Sequence, residues 1–407
     1  MPQSSGMKPT LDKDLSKVGQ IEQASHSVSR SLLMPGLALV FIAVCALVVS
    51  TIIQDTPGAL IIVIAAAIGA YMALNIGAND VANNVGPAVG SKALSMMGAL
   101  AIAAICESAG ALIAGGDVVG TVSKGIIDPA GLADANTFIL LMMSALIAAA
   151  LWINIATVFG APVSTTHSIV GGVAGAGIAA AGIAAVNWPT MGQIAASWVI
   201  SPLLGGIIAA GFLAFIKTAI IYQDDKIAAA RRWVPLLVAV MAGAFSTYLA
   251  TKGLKHLIEI TLPQACLIGL AVAVLTWLIS SPLIKRQSRG MENRNKSLRE
   301  LFKLPLIFSA ALLSFAHGAN DVANAIGPLA AIVSTAQSGA VAAKVGIPLW
   351  VMAIGALGIS FGLIMFGPKL IRMVGDQITK LNPMRAFCVA LSAVRQERRW
   401  SARRRSR

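Results

Sequence analysis

Apolar residues gather along this chain in long, almost unbroken runs, not in the short alternations of a half-buried soluble element. Nine runs stand out: Leu32–Ile53, Ala59–Leu74, Gly98–Ala114, Phe138–Val158, Ile194–Phe215, Val234–Leu249, Ala265–Leu283, Leu304–Phe315 and Pro348–Phe366. Most approach the ~20 residues that a helix needs to cross a hydrocarbon core. Backbone in lipid must satisfy its own hydrogen bonds, and alternating barrel-type strands are absent from the pattern, so each run is predicted as a helix. The expected fold is all-α, a polytopic transmembrane helical bundle.

The polar stretches divide the chain. Residues 1–31 form a polar tail, in which Leu11, Leu15, Val18, Ile21 and Val28 keep near-helical spacing suited to a membrane surface. Residues 32–216 form a first transmembrane region and 217–303 a central region with two helices between basic loops. A second transmembrane region, incomplete, covers 304–394, and 395–407 is an arginine-rich tail.

A repeat connects the two transmembrane regions. Residues 77–87 read GANDVANNVGP and residues 318–328 read GANDVANAIGP, identical at nine of eleven positions. Agreement this close points to a duplication, the origin of many membrane-embedded folds. The glycines and proline of each copy predict broken helices at the motif.

Composition and charge sharpen the picture. Hydrophobic residues make up 57% and charged residues only 12%, about half the charge share of a soluble domain. The formal net charge of +14 is concentrated in three segments, Lys217 to Arg232, Lys285 to Lys303 and Arg395 to Arg407. Basic loops between apolar spans are expected on the cytoplasmic side of a plasma membrane, here a bacterial inner membrane. No basic patch with base-stacking aromatics is present, which argues against nucleic acid. Two spans separate the first two basic loops, so both can share one side. The second motif then enters from the cytoplasm; with the N-terminal tail also cytoplasmic, Leu32–Ile53 crosses outward and the first motif enters from outside, which predicts inverted repeats. The four cysteines lie singly in apolar runs and form no C-x-x-C pair.

The candidate chemistry lies in the polar residues that interrupt the apolar runs. Asp80 and Asp321 occupy the same place in the two motif copies. An ionised aspartate within a membrane costs at least ~2.5 kcal/mol, tolerable where it faces a cavity, binds a cation or takes a proton. Glu107, also inside an apolar run, is a third candidate for coupling to a cation or proton. The segment APVSTTH places Ser164, Thr165, Thr166 and His167 after Pro162, where a helix can restart. Hydroxyls and free amides at a helix start suit a tetrahedral oxyanion, though plain N-capping would use the same residues. His317 adjoins the second motif, and as a lone histidine it reads more readily as a hydrogen-bonded packing residue than as a ligand.

The twin GANDVAN motifs, the segment at Glu107 and the PVSTTH motif resemble the inorganic phosphate transporter family over about residues 35–394. The resemblance implies a dimeric membrane symporter that moves inorganic phosphate with Na⁺ or H⁺ and needs no cofactor. It implies that Asn79, Asp80, Asn83, Asn320, Asp321 and Asn324 surround the substrate and coupling ions, and that Ser164, Thr165 and Thr166 supply phosphate-binding hydroxyls. Coupling cations are expected at Asp80, Glu107 and Asp321. Family members carry a second PVSTTH-type motif; at the equivalent spacing this chain has its arginine-rich tail, which reads as a truncation or frameshift. Alternatives are a sulfate transporter, a passive anion channel or a membrane-embedded phosphate-ester enzyme. An enzyme is not expected, because no metal cluster or nucleophile elbow frames the polar residues. No nucleotide-binding loop that would drive a pump occurs.

Overall fold

A computed structural model describes residues 32–54, 56–117, 125–127, 132, 134–252, 260–341, 346–374 and 382–392. The expected surface helix in the N-terminal tail and the arginine-rich end lie outside these residues. The described chain is helical: α1 (Leu32–Ile52), α2 (Ala59–Gly90), α3 (Met96–Ala114), α4 (Ala135–Phe159), α5 (Thr165–Ala181), α6 (Trp188–Ile216), α7 (Lys226–Lys252), α8 (Leu262–Gln287), α9 (Asn295–Leu301), α10 (Lys303–Ser338), α11 (Leu349–Arg372) and α12 (residues 383–392). Among the described residues, nine helices are long and apolar enough to cross a membrane. The only strand-like pairing there is a bridge between Ile127 and Val186.

Capping residues start these helices where apolar sequence alone would leave the boundary open. Ser95 accepts from the Gly98 N–H, Asp134 from the Thr137 N–H, Asn187 from the Thr190 N–H and Asn382 from the Arg385 N–H. Each satisfies one of the donors that a helix start leaves orphaned. Gly160 and Gly339 end α4 and α10 in the left-handed conformation, at φ 75° and 68°.

Burial separates centre from periphery. In α2, α4, α7, α10 and α11 half or more of the most apolar stretch is buried (56%, 50%, 67%, 50% and 56%), against 6% in α6 and 11% in α1 and α8. The last three face outward, as helices bathed in lipid do.

The centre is two helix pairs related by an approximate two-fold axis, and close-approach glycines reveal it. A Cβ on Gly77 would lie 1.9 Å from the Ile359 carbonyl oxygen, and one on Gly318 would lie 2.1 Å from that of Glu107. Gly110 meets the Phe315 carbonyl and Gly362 the Leu74 carbonyl, each at 1.9 Å; Gly115 meets Val322 and Gly367 meets Val81, each at 2.6 Å. These three close approaches between α3 and α10 thus each have a counterpart between α11 and α2. At Gly77, Gly318, Gly110 and Gly362 the helix backbones themselves touch, which a side chain at these positions would prevent.

The same contacts fix direction. Position rises together along α11 and α2 (Gly358 on Ala73, Gly362 on Leu74, Gly367 on Val81) and along α10 and α3. Each pair is therefore parallel. Five residues join α2 to α3, far too few to recross a ~30 Å core, so α2 and α3 run oppositely. Hence α2 and α10, which carry the two motif copies, run in opposite directions, and the repeats are inverted. On the axis, Ser108 and Ser360 share a 2.5 Å hydrogen bond, Ser108 reaching the Ala356 carbonyl and Ser360 the Ala104 carbonyl.

One expectation is corrected in its location. Neither α2 nor α10 breaks at its motif; both run through, with Pro87 and Pro328 inside them. The motif glycines serve close packing, and neighbouring helices accommodate the prolines. The interruption comes instead at residues 160–164, where α4 ends and α5 starts beside it with Thr165 in its first turn.

Candidate functional site

The polar residues of both repeats meet where α2, α3, α5 and α10 converge. Asp80, almost fully buried on α2, accepts a 2.7 Å hydrogen bond from the Thr165 hydroxyl at the start of α5. Its Oδ2 also lies 3.5 Å from Nε2 of His317 on α10. One turn on, Asp321 places its Oδ2 2.8 Å from the same nitrogen. The other ring nitrogen, Nδ1, is 3.5 Å from Oε2 of Glu107 on α3, and Asn84 holds Oε1 of that carboxylate at 2.8 Å. A single imidazole thus stands between three carboxylates, one from each of α2, α3 and α10. The ligand atoms of Asp80, His317 and Asp321 lie within 4.8 Å of one another, a set able to hold a cation. Oε2 of Glu107 and both ring nitrogens of His317 are buried without an aligned hydrogen bond.

The hydroxyl segment closes one side. Asn324 donates to the Thr165 and Thr166 hydroxyls at 3.3 and 3.1 Å, so the second motif copy touches the PVSTTH segment directly. Ser164 is exposed and its Oγ accepts from the His167 N–H, which makes it the N-cap of α5. His167 stacks on Trp198 of α6 with ring centroids 3.9 Å apart. The first turn of α5 therefore presents hydroxyls and the positive end of a helix dipole beside Asp80.

The asparagines divide into different environments. Asn79 is fully buried and its amide is occupied, donating to the Thr157 hydroxyl and the Ala161 carbonyl and accepting from the Val163 N–H. It ties the interhelix segment 160–164 to α2. Asn320 is half-buried and accepts from the Tyr248 hydroxyl at 3.4 Å. Asn83 is exposed, unlike its repeat counterpart Asn324, which is buried. Pro87 and Pro328 lack an N–H, so the carbonyls of Asn83 and Asn324 lose their usual helical donor four residues on.

Sequence reasoning missed Asn84, Thr157 and Tyr248, and left His317 open. A signal for two of them was present in the repeat itself: where the first copy has Ile76 and Asn84, the second has His317 and Ala325. Differences between duplicated copies mark positions with separate tasks.

A bundle of this kind, with two inverted repeats each bringing one aspartate to a shared polar centre, is that of a secondary transporter. The chain belongs to the phosphate transporter family, which it matches over residues 76–395. It is 51% identical over 384 residues to a Helicobacter pylori protein named as a proposed phosphate permease, covering 94% of this chain and 72% of the relative. A Pyrococcus furiosus protein named in the same way is 37% identical over 335 residues, covering 82% of this chain and 80% of its own. A solved structure titled as the sodium-dependent phosphate transporter superposes with a TM-score of 0.78 at 36% identity, over 83% of each chain.

Proposed function

We propose that this protein carries inorganic phosphate across the plasma membrane by symport with sodium, at the centre formed by Asp80, Asp321, Thr165, Thr166 and Asn324. One observation carries the reading: aspartates from both repeats converge on one buried centre beside the hydroxyl-bearing start of α5. Alone, such a centre repels phosphate. At 4 Å and an effective dielectric constant near 20, each bare carboxylate opposes a unit negative charge by ~4 kcal/mol, close to a thousandfold in affinity. A sodium ion bound between Asp80 and Asp321 cancels one of the two carboxylate charges and roughly halves that repulsion, so phosphate binds far better with its coupling ion than without it. The hydroxyls of Thr165 and Thr166 and the first-turn amides of α5 then serve as donors to the oxyanion. The name of the similar solved structure favours sodium over protons.

Three further assignments belong to this reading. Glu107 acts through His317, which it touches, and sets the charge facing the two aspartates. Asn79, with both amide protons donated within the protein, positions the 160–164 segment beside the site. The chain forms a homodimer in the membrane, for which the outer face of α6, with Gly192, Gly206 and Gly211 open, supplies a suitable surface.

The test is uptake of labelled phosphate into proteoliposomes, with inward sodium and proton gradients imposed separately. Uptake driven by sodium alone is expected. Uptake driven by the proton gradient alone would replace the coupling ion, and equal uptake without any gradient would make the protein a channel.

A further inference from the structure

Away from the transport centre, α6, α9 and α12 frame a half-open cavity of ≈ 160 Å³ lined by Leu213, Lys217, Ile221, Asn295, Arg299, Asn382, Met384 and Arg385. We infer that this cavity binds a phosphate group, that of an anionic membrane lipid headgroup or of free phosphate.

Each wall follows from local structure. Leu213, Lys217 and Ile221 recur every four residues and form one stripe, which a π-turn over Lys217–Ile221 carries past the end of α6. Asn295 and Arg299 share a face of α9, while Leu298 and Leu301 on its other side are buried. An edge-to-face contact of Phe302 with Phe387 fixes α12 beside this joint. Asn382 and Pro383 start α12 at the cavity, with Asn382 as cap and Met384 and Arg385 in its first turn.

Charge selects the ligand class. The lining holds three cations and two amides and no carboxylate. Among the described residues none of the three cations is in an ion pair: the nearby Glu300 pairs with Lys303, and Glu292 with Arg294. The volume of ≈ 160 Å³ accommodates a single phosphate group. Leu213, Ile221 and Met384 make the remaining wall apolar, and α6 is broadly exposed and apolar, as at Leu203 and Ile207, where an acyl chain could lie. Basic pockets between membrane helices on the cytoplasmic side are general headgroup sites.

The experiment uses the full chain in detergent, stripped of lipid, carrying Asp80→Asn and Asp321→Asn so that phosphate at the transport centre does not contribute. Thermal melting is followed on adding phosphatidylglycerol, phosphatidylcholine or inorganic phosphate, and retained lipid is read by native mass spectrometry. Stabilisation by phosphatidylglycerol but not phosphatidylcholine is expected, weakened ~10-fold by Arg385→Gln and abolished by Lys217→Gln/Arg299→Gln/Arg385→Gln. Saturable stabilisation by inorganic phosphate without phosphatidylglycerol, lost in the same variants, would assign the cavity to free phosphate. No response to either, or affinity unchanged in both variants, would overturn the inference. The exposed Arg385→Gln variant keeps the test valid should the triple variant melt early without ligand. The phosphatidylglycerol arm does not depend on the transport proposal.

Discussion

Two crossings in this protein share one backbone and differ in chemistry. Where α2 crosses α11, Gly77 lies on the Ile359 carbonyl and the neighbouring side chains are Ile76 and Ile359. Where α10 crosses α3, Gly318 lies on the Glu107 carbonyl and the same positions hold His317 and Glu107. Duplication preserved the close glycine contacts to within 0.2 Å and left the polar groups unequal. Backbone contact is the scaffold requirement common to both halves, while the buried carboxylate–imidazole pair has been placed on one side only. A buried pair of that kind is poor evidence of stabilisation, since apolar residues of similar volume usually do as well. Its presence on a single side points to work at the transport centre.

The shared element is the most sensitive to change. Gly77→Ala or Gly318→Ala would force a Cβ to within 1.9 or 2.1 Å of a facing carbonyl oxygen. Each is expected to cost at least ~3 kcal/mol, seen as loss of monodisperse protein in detergent. Gly171→Ala, with nothing within 4 Å, is expected to stay within ~0.5 kcal/mol of the parent. Equal melting of all three would remove the close-contact argument and with it the evidence for the axis.

The unequal element separates stability from transport. Glu107→Ile alone strands Asn84 and His317 and is expected to destabilise by ~3–5 kcal/mol. The triple change Glu107→Ile/His317→Ile/Asn84→Ala rebuilds this crossing in the image of the other. Thermal melting is expected to show it neutral to ~1–4 kcal/mol more stable, while labelled-phosphate uptake is lost. Retained uptake in a stable triple variant would reduce the pair to packing.

The axis itself supplies the smallest effect. Ser108→Ala and Ser360→Ala are each expected to cost ~1 kcal/mol, and the double variant less than the sum because the hydroxyls share one hydrogen bond. Strict additivity in melting experiments would contradict that contact.

The comparison also shows what sequence could reveal. Spans such as Phe138–Val158 were legible almost to their ends, because lipid-facing helices are apolar all round; the observed helix is Ala135–Phe159. The motif helices were not. The run Leu304–Phe315 is the first part of Lys303–Ser338, since polar residues facing protein interrupt hydropathy as loop residues do. α5 was legible only as a possible restart after Pro162, its glycine-rich sequence giving little hydropathic signal. In the site, the pairing of Asp80 and Asp321 followed from the repeat. Contact of Thr165 with Asp80, 85 residues away, needed the folded chain, as did the burial of Asn324 against the exposure of Asn83.

The central claim is that one carboxylate from each inverted half is required at a common centre. The direct measurement is sodium-driven uptake of labelled phosphate by proteoliposomes containing the parent protein, Asp80→Asn or Asp321→Asn at equal, folded amounts. Both variants are predicted to fall to the level of protein-free vesicles, the loss at Asp321 as complete as that at Asp80 despite its greater exposure. Uptake near the parent rate in either variant would contradict the claim.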